Sequence, residues 1–174
     1  MIILREYCEN DLEDLVTLAN NDKVSRYLDL SFPHPYTHEA AAWWIEIGCR
    51  AEGSAVKVIE WEGQFVGSVG TTAASGWRSH IAEIGYWLGE PFWGKGIASQ
   101  ALDQMTKIAF TELEFQKLQA SVLKPNVGSM KVLEKCGYKY EGVAQSYLQI
   151  DGRWRNHVLY ANLSLDRRGK SMVG

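Results

Sequence analysis

Between residues 81 and 113 the chain reads IAEIGYWLG, then EPFWGKG, then IASQALDQMTKIAFTEL. The first run is β-branched and aromatic, as a strand prefers. The second is a glycine-rich turn, and in the third Ile97, Leu102, Met105, Ile108, Ala109 and Leu113 recur at helical spacing. KLQASVL at 117–123 reads as the next strand. A strand, helix, strand passage this short needs a crossover, which makes the two strands parallel neighbours. That constraint places a glycine loop at the carboxyl end of a strand and the amino end of a helix.

The flanking segments extend the pattern. IILRE at 2–6 predicts a strand, and Asn10 with Glu13 three residues later predicts a capping box for a helix over 11–20. A short helix is expected over 22–28. Two prolines interrupt SFPHPY, and Thr37 restarts a helix to about residue 49 that carries Trp43 and Trp44. SAVKVIEW, the turn pair Glu62-Gly63 and QFVGSVGTTAAS predict a hairpin over 54–74, with Gly67 and Gly70 weakening the second strand or marking bulges. After 117–123 the sequence predicts a helix over 126–136, ended by Gly137, and two strands near 138–149 and 153–164. The expected order is β α α α β β β α β α β β, an α/β (α+β) chain with a mixed, mostly antiparallel sheet flanked by helices.

A chain of 174 residues suits one domain, taken here as 1–174 with a flexible tail over 165–174. The net charge is −3, from 18 Lys+Arg against 21 Asp+Glu. The basic footprint of a nucleic-acid binder is therefore missing, and an anionic ligand must be met locally. No apolar run approaches a membrane span, and MIILREYCEND turns acidic where a signal peptide stays apolar, so a soluble cytoplasmic protein is expected. Cys8, Cys49 and Cys136 lie far apart without C-x-x-C spacing, and Pro35 interrupts the one i,i+4 histidine pair, His34 and His38. Neither a disulfide framework nor a metal site is predicted.

A glycine turn opening a helix offers free amides and the positive end of the helix dipole to a phosphate, although a plain βα connection would look similar. Lys95 adds positive charge. A nucleotide P-loop fails because Gly96 stands where a Ser or Thr should bind magnesium, and a dinucleotide fingerprint fails at Ser99, where a third glycine is needed. Trp93, Gly94, Lys95, Gly96, Ile97 and Ala98 instead resemble the Q/R-x-x-G-x-G/A pyrophosphate loop of the GNAT superfamily of acetyl-CoA-dependent N-acetyltransferases, with Trp93 replacing the Q/R. AEIGYWLGEPFWGKGIASQAL, KPNVGSMKVLEKCGYKYEG and DGRWRNHVLYANL are similar to the ribosomal-protein-alanine (RimJ/RimL) branch. Asn156 departs from the Asp common there.

The resemblance implies a sheet splayed at a cofactor cleft between the strands at 81–89 and 117–123. Pantetheine would pair with backbone groups of Tyr86, Trp87 and Leu88, as an added strand does. Trp93 through Ser99 would hold the pyrophosphate, and Asn126 would cap its helix and touch the cofactor. Many members carry a tyrosine acid seven residues after this Asn. Here that position is Leu133, so Ser129, one turn earlier, becomes the candidate to hydrogen-bond the thiolate. An amine must lose a proton to attack a thioester, and Glu83, expected half-buried among Ile81, Ala82 and Ile84, is the leading base, with His80, His157 and Tyr147 as stand-ins. Cys136 ends a helix, where the dipole opposes a thiolate, so direct transfer in a ternary complex is preferred over a covalent intermediate. A backbone N–H near Trp87 or Leu88 would receive the oxyanion. Phe32, Tyr36, Trp43, Trp44 and Trp154 would line the acceptor side. A protein or peptide N-terminus is the expected acceptor, with a small amine (amino acid, polyamine or aminoglycoside) and a non-catalytic acyl-CoA-binding module as alternatives.

Overall fold

In the computed structural model, residues 1–28, 32–150 and 152–164 are described. The expected tail at 165–174 and Asp151 of the DGRW run lie outside them. The elements are β1 (Ile2–Arg5), α1 (Leu12–Ala19), α2 (Asp22–Ser25), α3 (His38–Glu46), β2 (Ser54–Trp61), β3 (Gln64–Ala73), β4 (Ile81–Leu88), α4 (Ile97–Thr111), β5 (Lys117–Leu123), α5 (Val127–Lys135), β6 (Lys139–Ile150) and β7 (Arg153–Leu163). Their order is the one the residue patterns predict. They form one seven-stranded sheet, β1-β2-β3-β4-β5-β7-β6. Every pairing is antiparallel except β4 with β5.

Strand alternation sends neighbouring residues to opposite faces, and two buried clusters result. Ile59, Val66 and Leu118 pack with Leu102 and Met105 of α4 and Leu133 of α5 on one face. Val58 and Phe65 pack with Leu15 of α1 and Ala41 and Ile45 of α3 on the other. Each fully buried aliphatic side chain contributes about 1.5–3 kcal/mol relative to exposure. Among the described residues no helix is long and apolar enough to cross a membrane.

Several boundaries differ from the sequence expectation for identifiable reasons. The capping box expected at Asn10 and Glu13 forms earlier, because the Asp11 carboxylate accepts from the Cys8 amide at 2.8 Å and binds Arg5 in a bidentate pair at 2.6 and 2.8 Å. Arg5 also reaches Glu60 at 2.5 Å, so the start of α1 is tied to β1 and β2. α3 stops at Glu46, and just beyond it Gly48 lies against the Trp43 and Trp44 rings, where an added Cβ would meet ring carbons at 2.7 and 2.6 Å. The bulge falls where β2 passes Gly67: Ile59 pairs Gly67 while Glu60 pairs Phe65, leaving Val66 as the extra residue. A Cβ at Gly67 would approach the Trp87 carbonyl to 2.2 Å, so glycine is needed for β3 to lie this close to β4.

Candidate active site

The wedge is created by a ladder that stops. β4 and β5 pair at three positions, Ile81↔Lys117, Ala82↔Leu118 and Glu83↔Gln119. Beyond Glu83, β4 stays with β3 as far as Leu88, while β5 stays with β7 as far as Leu123. The facing edges of 84–88 and 120–123 are therefore left without a strand partner. A cleft of about 830 Å³ opens on one side of the gap and one of about 570 Å³ on the other. Tyr86, Trp87, Asn126 and Ser129 line both, so the two form one passage through the sheet.

The smaller cleft ends at the glycine loop, lined by Trp93, Gly94, Gly96, Ile97, Ala98 and Ser99. Gly94 and Gly96 have φ of 74° and 75°, a region costly for any residue with a Cβ. Nothing lies within 4 Å of an added Cβ at either, so this is open space. Gly96 begins α4 with no side-chain cap, which leaves the helix's first amides available to an anion. Trp93, in the position the family gives to Gln or Arg, donates its indole N–H to the Leu88 carbonyl at 2.8 Å and braces the loop against β4.

Lys95 does not line the cleft: its ammonium lies over the Trp61 ring, 4.9 Å from the centroid. Lys23 and Arg26 line the cleft instead. Lys23 is paired with Glu90, whose carboxylate also accepts from Asn21 at 2.8 Å, anchoring α2 to the loop. Arg26 is the remaining cation among the described residues of that wall, and it lies outside any glycine-loop motif.

Asn126 caps α5 by accepting from the Ser129 amide at 3.1 Å, as its residue type predicts. The Ser129 hydroxyl lies 2.8 Å from the Tyr86 hydroxyl. Leu133 is fully buried in the core. Glu83 is exposed rather than half-buried, because Ala82 and Ile84 take the buried face of β4. It stands on the wall of the larger cleft and accepts a hydrogen bond from Ser121 across the splay at 2.7 Å. Ser121 is a partner that only the β4–β5 register reveals.

The acceptor side differs in part from the expectation. Phe32 and Tyr36 line the larger cleft with their rings 4.9 Å apart, and Trp44 lines it too. Trp43 and Trp154 do not; they are 55% and 63% exposed and point elsewhere. His157 and Tyr147 take part as a ring pair at 4.7 Å. A two-residue register shift between β6 and β7, where residues 145–147 face Asn156 alone, brings Tyr147 to the cleft wall, and the Asn156 side chain stabilises it by accepting from the Ser146 amide at 2.9 Å. His80 is not on the wall. Cys136 donates to the Ser99 carbonyl, and burial pushes its thiol up, opposite to what a nucleophile needs. Among the described residues no three His, Cys, Asp or Glu side chains are grouped to hold a metal.

Splayed parallel strands with an uncapped, glycine-gated helix terminus at one end leave room for an extended, anion-tipped molecule between them. A family model described as the acetyltransferase (GNAT) domain matches residues 1–139, and the chain belongs to this family. It is 41% identical over 85 residues to the probable N-acetyltransferase YjcK of Bacillus subtilis, covering 49% of this chain and 47% of that one. It is 34% identical over 82 residues to the ribosomal protein uS5 alanine N-acetyltransferase of Escherichia coli, covering 47% and 42%. These matches span about half the length of the curated relatives. The solved structure of Mycobacterium smegmatis RimJ in complex with CoA-disulfide superposes with a TM-score of 0.83 at 29% identity, covering 96% of this chain and 84% of that one.

Proposed function

We propose that the protein transfers the acetyl group of acetyl-CoA to a primary amine, most naturally the free N-terminus of a protein or peptide, by direct attack in a ternary complex. The observation that carries this reading is the end of β4–β5 pairing at Glu83↔Gln119, which opens one passage from the glycine loop to a carboxylate. In it, the amides at Gly94–Ser99 hold the pyrophosphate, the free edge of Tyr86–Leu88 pairs with pantetheine, and Asn126 and Ser129 stand beside the thioester. An N–H of Trp87 or Leu88 receives the developing oxyanion. Glu83, oriented by Ser121, takes the amine proton directly or through water.

The acceptor preference follows from the wall. Among the described residues lining the larger cleft, Glu83 is the one carboxylate, and the rest are mainly aromatic, aliphatic or neutral polar. A polyamine or aminoglycoside would call for several. The relatives named for ribosomal-protein alanine acetylation support the same choice. The three cysteines are free thiols, in keeping with a reducing cytoplasm.

The test is mass-spectrometric detection of acetyl transfer to an alanine-initiated peptide, the same peptide with a blocked terminus and an internal lysine, spermidine, and kanamycin. Acetylation confined to the free N-terminus is expected. Preference for spermidine or kanamycin would replace the acceptor. CoA binding without turnover on any amine would favour the binding-module reading.

A further inference from the structure

The Tyr86 phenol has no part in the backbone role that β4 plays, yet it is fixed where the two clefts share their walls. Its hydroxyl lies 2.8 Å from Ser129 Oγ and 3.1 Å from the Ser129 carbonyl oxygen, joining β4 to the first turn of α5 across 43 residues of sequence. Those two elements are opposite walls of the wedge, and both residues line both clefts. A thioester whose pyrophosphate sits at the glycine loop and whose acetyl group meets an amine from the other side has its sulfur at this junction.

We propose that Tyr86 and Ser129 form a two-link hydrogen-bond donor chain that stabilises the CoA sulfur as it departs, with Ser129 touching the sulfur and Tyr86 acting as the positioning residue. The proposal rests on the acetyl-transfer reading. It places on β4 a phenol that the position now held by Leu133, sealed in the core, does not supply.

The hydrogen count supports the arrangement. The phenol has one hydrogen and two acceptors in reach, and the serine hydroxyl has one hydrogen. In the empty protein the phenol can donate to the carbonyl while Ser129 donates to the phenol. With negative charge on the sulfur, both rotors turn: Tyr86 donates to Ser129 Oγ and Ser129 donates to the sulfur. No heavy atom has to move, so the site is preorganised for the departing charge. Burial pushes the Tyr86 phenol up, against a smaller opposing effect of Ser129, and so keeps it a donor.

Proton ownership then follows. The nitrogen–carbon bond forms, the carbonyl is restored, and the carbon–sulfur bond breaks with its electron pair on sulfur. The surplus proton on nitrogen leaves through Glu83 or water. Tyr86 and Ser129 keep their protons, because a thiolate is a much weaker base than a buried phenolate. CoA therefore departs as a thiolate and is protonated by solvent.

The decisive measurement is the titration of the CoA thiol in its complex with the protein, read from thiolate absorbance. It needs no acceptor. The bound thiol should titrate about one unit below free CoA. Ser129→Ala should return it to the free value, Tyr86→Phe, which leaves the direct donor but removes its second link, should move it part of the way, and the double variant should match Ser129→Ala alone. Ser129→Thr should preserve the shift. A change in the thiol's titration, as opposed to a loss of CoA affinity that is equal at every pH, is the readout that a merely structural role of Tyr86 would not move. An unchanged thiol titration in Tyr86→Phe overturns the role of Tyr86 even if Ser129→Ala has its effect. No effect of Ser129→Ala overturns both that role and the Ser129 assignment, and failure to bind CoA overturns the acetyl-CoA reading itself. If Tyr86→Phe does not fold, 3-fluorotyrosine at position 86, a stronger donor, should lower the bound thiol's titration further, and no change would refute the chain.

Discussion

Gly96→Ala separates a glycine kept for backbone reasons from one kept for a ligand. Gly96 begins α4 with φ of 75°, and no atom lies within 4 Å of an added methyl group. The substitution therefore strains the backbone without a clash, costing about 1–2 kcal/mol. For a chain of this size that lowers Tm by about 2–8 °C. Gly63 supplies the control, because it has φ of 79° and equally open surroundings, but sits in the β2–β3 turn away from the passage. Gly63→Ala should lose the same stability. The two should part in calorimetric titration with CoA. A methyl group at Gly96 occupies space meant for phosphate and turns the adjoining amides, and losing one charge-assisted hydrogen bond costs about 1.5–3 kcal/mol, or roughly ten- to a hundredfold in Kd. Gly63→Ala should bind CoA as the parent does. Equal weakening in both variants, or parental affinity in Gly96→Ala, would show that the loop is only a connection.

Glu83→Gln should lower kcat by about 10²–10⁴ while leaving CoA affinity unchanged; retention of kcat in steady-state assays would move the base to His157 or to water. Arg26→Ala should raise KM for acetyl-CoA about two- to fivefold and reduce its salt dependence, whereas Lys95→Ala should not. The reverse pattern would return the phosphate contact to Lys95. Asp11 tests the framework: burial disfavours its charge, but Arg5 and the Cys8 amide outweigh that and hold the carboxyl below its ordinary value of 3.8. A depressed folded-state pKa contributes stability above that value and loses it as pH falls below. Asp11→Asn should therefore cost about 3 kcal/mol at neutral pH and flatten the acid limb of stability below about pH 4, followed by chemical denaturation across pH; an unchanged acid limb would refute the assignment.

What could be read from the residues is what is decided locally. The glycine loop, the Glu62-Gly63 turn and the caps at Thr37 and Asn126 are settled within a few positions, and each forms as its residue types require. Side-chain destinations depend on which face meets which layer. Ala41, Trp44 and Ile45 share one face of α3, so helical spacing alone favours Trp44 over Trp43 as the cleft residue. Trp154 has the strand parity of Val158 and Tyr160, which pack toward α5, so the alternation that brings His157 to the cleft carries Trp154 away. Lys95 and Ser121 were beyond such reasoning, because their partners Trp61 and Glu83 are chosen by sheet order and register.

The same logic bears on why the ladder stops where it does. Continuing β4–β5 pairing past Glu83 would bring Tyr86 and Trp87 against β5. Trp87 instead packs on Phe65 and Phe32, at 6.0 and 5.6 Å, on the α1–α3 side. Tyr86 spans to Ser129 and is packed against the α4–α5 core. These adjacent bulky residues, directed to opposite faces by strand alternation, hold the walls apart and tie them at a fixed width. The unpaired edges lose ladder hydrogen bonds that a closed sheet would have. An extended chain of amides has the chemistry to replace them, so the segment that most constrains the fold is also the one whose pairing is left incomplete.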